Sequence, residues 1–261
     1  MNRIILALLV STIHCLSIPD ARSAAPEGWT LTFEDTFDHD RLDTTRWVPK
    51  DIEDIVRNNE LQAYVPASVG VAQGSLRLEA VQEKTTYLGK ELPYRSGMVT
   101  TKDKFSQAFG RWEIRCRVPK GKGFFPAFWL VQLEPVWAEI DVLESLGDEP
   151  RKAFFTHHWK EQNEFVKHGG EYRSDVPLSD DFHVYTLDWE PDVLIWSVDG
   201  VERFRSVKHV PKGKACILIN LAVGGNWPGS PDASTQFPAA LEVDYVRVYA
   251  RNPKADEATP K

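Results

Sequence analysis

Apolar and polar residues alternate with a period of two along most of this chain. The alternation runs through GWTLTFEDTF, SLRLEAVQ, GRWEIRCRV, AEIDVLES, HVYTLDWEP, VLIWSVDG, ACILINLAVGG and LEVDYVRVYA. These segments are rich in Val, Ile, Leu and aromatic residues, and clusters of Gly, Pro, Asp and Asn separate them, as expected for strands joined by turns. No stretch carries a sustained apolar stripe at helical spacing. The nearest approach is a short turn around NNELQAY, so the pattern argues against a parallel βαβ architecture. Many strands within 261 residues point to one all-β domain, an antiparallel two-sheet sandwich of jelly-roll type. The polar tail RNPKADEATPK, 251–261, is expected to be disordered.

The N-terminal stretch breaks the alternation. MNRIILALLVSTIHCLSIPDARSAAPEGW has an early basic residue, an apolar run from Ile4 to Ile13, and small residues from Ala21 to Ala25. That is the layout of a secretory signal peptide. Cleavage after Ser23 fits the small-x-small rule through Ala21, and is preferred to cleavage after Ala25, which would leave Pro26 first. Residues 1–23 are therefore assigned to a signal peptide and 24–250 to the folded domain, with a secreted or periplasmic mature protein. The apolar run is too short to span a bilayer. His14 also stands where a lipoprotein would have a small residue before its cysteine, so no membrane anchor is expected. Cys116 and Cys216 then remain. They could pair in an oxidising compartment or stay buried as free thiols, and the sequence leaves both open.

Composition narrows the partners. A formal net charge of -7 offers no electrostatic footprint for nucleic acid or an anionic membrane. Nine tryptophans can fill a core, but their faces also stack on sugar rings, which favours a carbohydrate ligand. A monomer is expected.

One segment concentrates charge where the pattern is otherwise apolar. Residues 137–147, WAEIDVLESLG, carry Glu139, Asp141 and Glu144. Such a cluster is either a salt-bridged strand or a working site. On a strand, Glu139 and Asp141 share a face while Glu144 is out of phase. One β-bulge between Val142 and Ser145 adds the residue that brings Glu144 back. The spacing ExDxxE therefore predicts a bulge. Glu139 and Glu144 would then lie about four strand steps apart, ~13 Å along the backbone, and side chains leaning inward could close to about 5 Å, the separation of retaining glycosidases. A carboxylate between two glutamates also pushes their pKa values apart, as a nucleophile and a general acid require.

With FPAFWL upstream and EIDVLESLG following, the chain resembles glycoside hydrolase family 16, in its bulged laminarinase-like branch. The resemblance spans nearly the whole mature chain: FEDTFD, NNELQAY, YRSGMVTT, FGRWEIRCRVPKGKGFFPAFWL, THHW, FHVYTLDW, LINLAVGGNWPG and VDYVRVY occur in that order. It implies a concanavalin-like jelly roll of two curved antiparallel sheets with an open cleft across the concave face. It further implies Glu139 as nucleophile, Asp141 as its assisting, hydrogen-bonding partner and Glu144 as general acid/base. Trp129 and Trp137 fall where rings line the subsites, His158 beside the assisting aspartate, and Asn59, Asn220 and Trp227 on cleft positions. The plain alternatives are core packing for Trp129 and a merely satisfied ring for His158; Trp112 is open between core and cleft. The resemblance also implies a structural calcium held by Glu34, the Gly74 carbonyl and Asp244, with no cofactor for catalysis. Ala138 and Leu143 depart from the Gly and Met usual beside the carboxylates, and VQLEPV is short.

The leading expectation is an exported endo-acting glucanase cutting internal β-1,3 bonds with retention. A lectin-like module is the rival from another class, and a transglycosylase shares the first half-reaction. A purely structural acidic strand would need three cations opposite, against which Arg151 and Lys152 are too few. Laminarin ranks first as substrate, mixed-linkage glucan second, and galactans or bacterial exopolysaccharide third, because Arg95 and Arg173 are the only cations the sequence places near the cleft.

Overall fold

A computed structural model describes residues 25–253. The proposed signal peptide and residues 254–261 of the tail lie outside them. The strands, numbered in chain order, form two large antiparallel sheets. In the eight-stranded sheet the order is β16 (Val201–Ser206), β15 (Val193–Val198), β14 (His183–Glu190), β9 (Gly110–Arg117), β18 (Ala239–Arg251), β4 (Ser75–Ala80) and β3 (Val69–Ala72), with β1 (Trp29–Asp35) also on β18. The six-stranded sheet runs β13 (Glu164–Arg173), β12 (Lys152–Glu161), β11 (Ala138–Glu144), β10 (Phe124–Gln132), β17 (Cys216–Val223) and β8 (Met98–Thr100). Two small pairs complete the fold, β2 (Gln62–Tyr64) parallel to β7 (Tyr94–Ser96), and β5 (Thr85–Tyr87) with β6 (Lys90–Leu92).

The period-two pattern becomes the sandwich core. From the eight-stranded sheet Trp112, Ile114, Leu187, Trp189 and Trp196 point inward, and Phe128, Leu130, Ile140, Phe155 and Ile217 meet them from the six-stranded sheet. Trp112 is fully buried and packs on Trp189 with ring centroids 6.2 Å apart, which settles it as core. The central strands β10 and β17 are buried on both faces, because a second apolar cluster of Tyr64, Met98, Trp129, Val131, Cys216 and Leu218 lies on the far side of that sheet. That second layer is the floor beneath the cleft.

Three expectations need correction or resolution. NNELQAY holds no helical turn: Asn58 and Asn59 take positive φ, Gln62–Tyr64 is β2, and among the described residues the one helical element is the 3-10 turn Pro66–Ser68. The ordered chain also runs past residue 250. Arg251 is the last residue of β18 and pairs with Glu190, while Asn252 bonds to Gly28 and Thr30. Cys116 and Cys216 are both free, since Cys116 belongs to the sandwich core and Cys216 to the cluster on the other side of the six-stranded sheet. Among the described residues, no helix is long and apolar enough to cross a membrane.

Candidate active site

The bulge is present, and it decides which side chains face the cleft. Trp129 of β10 lies opposite Asp141 while its neighbour Phe128 lies opposite Leu143, so Val142 is extra on that side. On the other side the pairing jumps from Asp141/Thr156 to Glu144/Phe154. Val142 and Leu143 are consecutive yet both belong to the sandwich core. Two successive inward residues return Glu144 to the face of Glu139 and Asp141. Glu139 pairs with His158 and Glu144 with Phe154, four residues along β12, so the expected four strand steps are met.

Register across the sheet writes the concave face as three rows. The first is Cys216, Val131, Glu139, His158 and Lys167; the second is Leu218, Trp129, Asp141, Thr156 and Gly169; the third is Asn220, Ala127, Glu144, Phe154 and Glu171. The row through Asp141 ends on a glycine for a steric reason. A Cβ on Gly169 would sit 2.5 Å from the Phe155 carbonyl oxygen and 3.0 Å from Thr156 Oγ1. Above these rows opens a cleft of about 870 Å³.

The three carboxyl groups sit in a common field. His158 Nε2 is 3.1 Å from Asp141 Oδ2 and 3.8 Å from Glu139 Oε1. Thr156 Oγ1 donates to Glu144 Oε2 at 3.3 Å. Burial, then the neighbouring charge of Asp141, pushes Glu139 up to about 8. Burial raises Asp141, and burial followed by the charges of Asp141 and Glu139 raises Glu144 well above the usual carboxylate range. Three like charges this close cannot all ionise, so the cluster holds protons into neutral pH. His158, lying beside Glu139, opposes that rise when it is charged.

The expected ligand-binding residues divide. Trp129, Asn220, His158 and Trp227 line the cleft. Trp129 Nε1 donates to Asn220 Oδ1 at 2.8 Å, and Asn220 Nδ2 donates to Tyr64 OH at 2.9 Å, so ring and amide hold one another. Trp227, 46 % exposed, stands edge-on to Phe125 and Phe154 with centroids 5.2 Å and 4.9 Å away. Asn59 does not line the cleft; Asn58 does, and Asn59 bonds through Nδ2 to Asn226 Oδ1 at 2.8 Å on the rim. Trp137 lies outside the main cleft, packed on the floor cluster and edge-on to Phe165. Asp141 bonds His158.

Several lining residues were not foreseen. Glu60, inside NNELQAY, is an almost buried acid that accepts from Gln62 Nε2 at 2.7 Å, and burial raises its pKa. Arg57 lines the cleft while paired with Asp51 and Glu53. Phe154 and Lys167 follow from strand alternation once His158 is placed, but only register shows it. Arg95, expected near the cleft, instead bonds Glu83 and Ser68.

The residues expected to hold calcium do not fit an oxygen cage. Glu34 Oε1 accepts from Arg247 Nε at 2.8 Å, and its carbonyl accepts from Arg46. Asp244 Oδ2 accepts from Arg115 Nη1 at 2.8 Å. Gly74 sits in the β3–β4 turn at φ +70°, beside Asp38. A cation between these groups would have to displace guanidinium partners, and calcium wants several convergent anionic or carbonyl oxygens.

Known proteins supply the remaining findings. The model of the glycosyl hydrolases family 16 matches residues 59–247. A beta-glucanase of Rhodothermus marinus is 35% identical, over 93% of this chain and 92% of that protein. The catalytic domain of an endo-1,3-beta-glucanase (laminarinase) from Thermotoga petrophila superposes with a TM-score of 0.79 at 32% identity, covering 86% of this chain and 99% of that one. An endo-beta-1,3-glucanase from Pyrococcus furiosus does so at 0.78 and 32%, covering 85% and 95%.

Proposed function

Because the chain belongs to the glycosyl hydrolases family 16, we propose that it is an exported, monomeric, retaining endo-β-1,3-glucanase acting on laminarin-type glucan. The single observation that carries the proposal is the bulge that puts Glu139, Asp141 and Glu144 on one concave face. The relatives' names support a β-glucan substrate, and a cleft lined by amides and aromatic rings suits a neutral polymer.

In the first step the Glu139 carboxylate attacks the anomeric carbon. The glycosidic C–O bond breaks as its oxygen takes the proton of Glu144. In the second step the Glu144 carboxylate takes a proton from water, whose oxygen attacks the same carbon and releases Glu139. The strong upward push on Glu144 keeps a proton available for the first step. Asp141, bonded to His158, modulates the charge on Glu139. Trp129 and Trp227 offer faces for sugar rings.

A reducing-end assay across laminarin, mixed-linkage glucan and a galactan tests the reading. Laminarin is expected to be cut fastest, with oligosaccharides of several lengths appearing early. Rapid cleavage of the galactan with none of laminarin would overturn the substrate, and binding of all three without cleavage would overturn the enzyme.

A further inference from the structure

Beyond the first row of the concave face the sheet continues into a corner that the cleft does not include. Lys160 on β12 pairs with Phe165 on β13, and Trp137 immediately precedes β11 on the side of Glu139. Trp137 and Phe165 meet edge to face with centroids 5.2 Å apart. Phe165 is 69 % exposed, a large apolar ring left in water next to a polysaccharide cleft. Lys160 Nζ lies 5.0 Å from its centroid. One row inward, Lys167 lies opposite His158 and lines the cleft.

Among the described residues neither lysine is in an ion pair; Lys167 meets Asp141 only through its field, which lowers that carboxyl against the rise from burial, while Glu161 lies 3.9 Å from His209 and Glu171 lies 3.9 Å from Lys152. In a chain of net charge -7, with three carboxyl groups in the cleft, two cations outside any close ion pair beside an exposed ring are the local exception. A neutral glucan would use the ring but would leave Lys160 with the ring alone and Lys167 with only the field of Asp141.

We propose that the Trp137, Lys160, Phe165 and Lys167 corner is a further subsite that binds a glucan residue bearing a negatively charged substituent. The inference rests on the glucanase reading and adds a substrate class to it. The sugar face packs on Phe165, and the substituent lies between the two ammonium groups. Lysine is a compact point charge without the planar fork of arginine, so it selects charge rather than shape, and carboxylate and sulfate both qualify.

Titration calorimetry on Glu139→Gln protein tests it without turnover. The ligands are a laminari-oligosaccharide and the same oligosaccharide lightly carboxymethylated or lightly sulfated. Both charged ligands are expected to bind about fivefold more tightly at low salt, the scale of exposed ion pairs. The advantage is expected to vanish at about 0.5 M salt and in the Lys160→Ala/Lys167→Ala protein. Phe165→Ala is expected to weaken neutral and charged ligands alike, about threefold. A preference for only one charged ligand identifies which substituent the corner takes. Equal affinities for neutral and charged ligands, no measurable binding of the charged ones, or a preference that survives removal of both lysines overturns the proposal. Failure of the glucanase reading is seen separately, as no release of reducing ends from laminarin by the unmodified protein.

Discussion

His157 and His158 are neighbours on β12, yet they belong to different physical problems. His158 faces the cleft and bonds Asp141 at 3.1 Å. His157 faces the interior, is fully buried, and shares the Ser206 hydroxyl with His168, each ring nitrogen 3.0 Å from Oγ. The Lys208 N–H also donates to this oxygen, which leaves it one lone pair and its own proton, so one ring donates to it and the other accepts. The other nitrogen of His157, Nδ1, has no hydrogen-bond partner among the described residues. Burial, then the neighbouring histidines, lowers His157 to about 4. One residue type, one strand and opposite faces thus give a neutral structural ring and a ring hydrogen-bonded to a cleft aspartate. The alternation that builds the sandwich also insulates packing from chemistry.

Substitutions on the two faces break this comparison in order of size. On the cleft face, Glu139→Ala is expected to lower kcat by at least about 10³-fold, with the melting temperature held or raised because a buried like charge is removed. Azide is expected to restore turnover through a glycosyl azide of inverted anomeric configuration. On the interior face, His157→Ala is expected to cost about 2–3 kcal/mol of stability, from the cavity and the disturbed Ser206 bonds. Its kcat/KM below the melting transition is expected to stay within about twofold. His158→Ala reverses that profile, with kcat down about tenfold and stability moved by about 0.5 kcal/mol or less. Chemical denaturation and steady-state rates on the three proteins separate the faces.

The faces also respond to pH with opposite sign. His157 is lowered to about 4 in the fold against about 6.5 unfolded. Its contribution is therefore complete above pH 6.5 and lost as pH falls toward 4. Glu139 is raised to about 8 from about 4.3 unfolded, so its contribution is present at low pH and lost as pH rises through 8. The two windows overlap between about pH 4.3 and 6.5, so the native protein's stability is expected to level there and to fall as pH rises further toward 8. Glu139→Gln should flatten the alkaline limb and His157→Ala the acid one, as read by melting temperature from pH 4 to 9. The smallest expected effect is that of a chelator. With Glu34 and Asp244 each engaged by arginine, EDTA is expected to leave the melting temperature unchanged, and a clear drop would restore calcium to the fold.

What was legible in the chain follows from range. Strand alternation is local, so the sandwich and the faces of β12 can be read directly, and ExDxxE contains the bulge that it requires. Lys167 was missed because its row is set by pairing with β12, not by its own segment. The arginine partners were missed for the same reason: Arg115 and Asp244 are 129 residues apart, and Arg247 and Glu34 are 213 apart. Family motifs placed Glu34 and Asp244 as cation ligands, but what a carboxylate does depends on which guanidinium the fold brings to it. Trp137 shows the limit within the site itself, since the short segment before β11 turns it away from the main cleft toward Phe165.

The central claim is that Glu139 and Glu144, brought to one face by the Val142–Leu143 bulge, act in turn on a single anomeric carbon. It is tested most directly by following the anomeric configuration of the first reducing ends by proton NMR during laminarin cleavage. The account predicts that the β-configured sugar appears first and mutarotates afterwards. An initial burst of the α anomer would mean direct displacement by water and would contradict it.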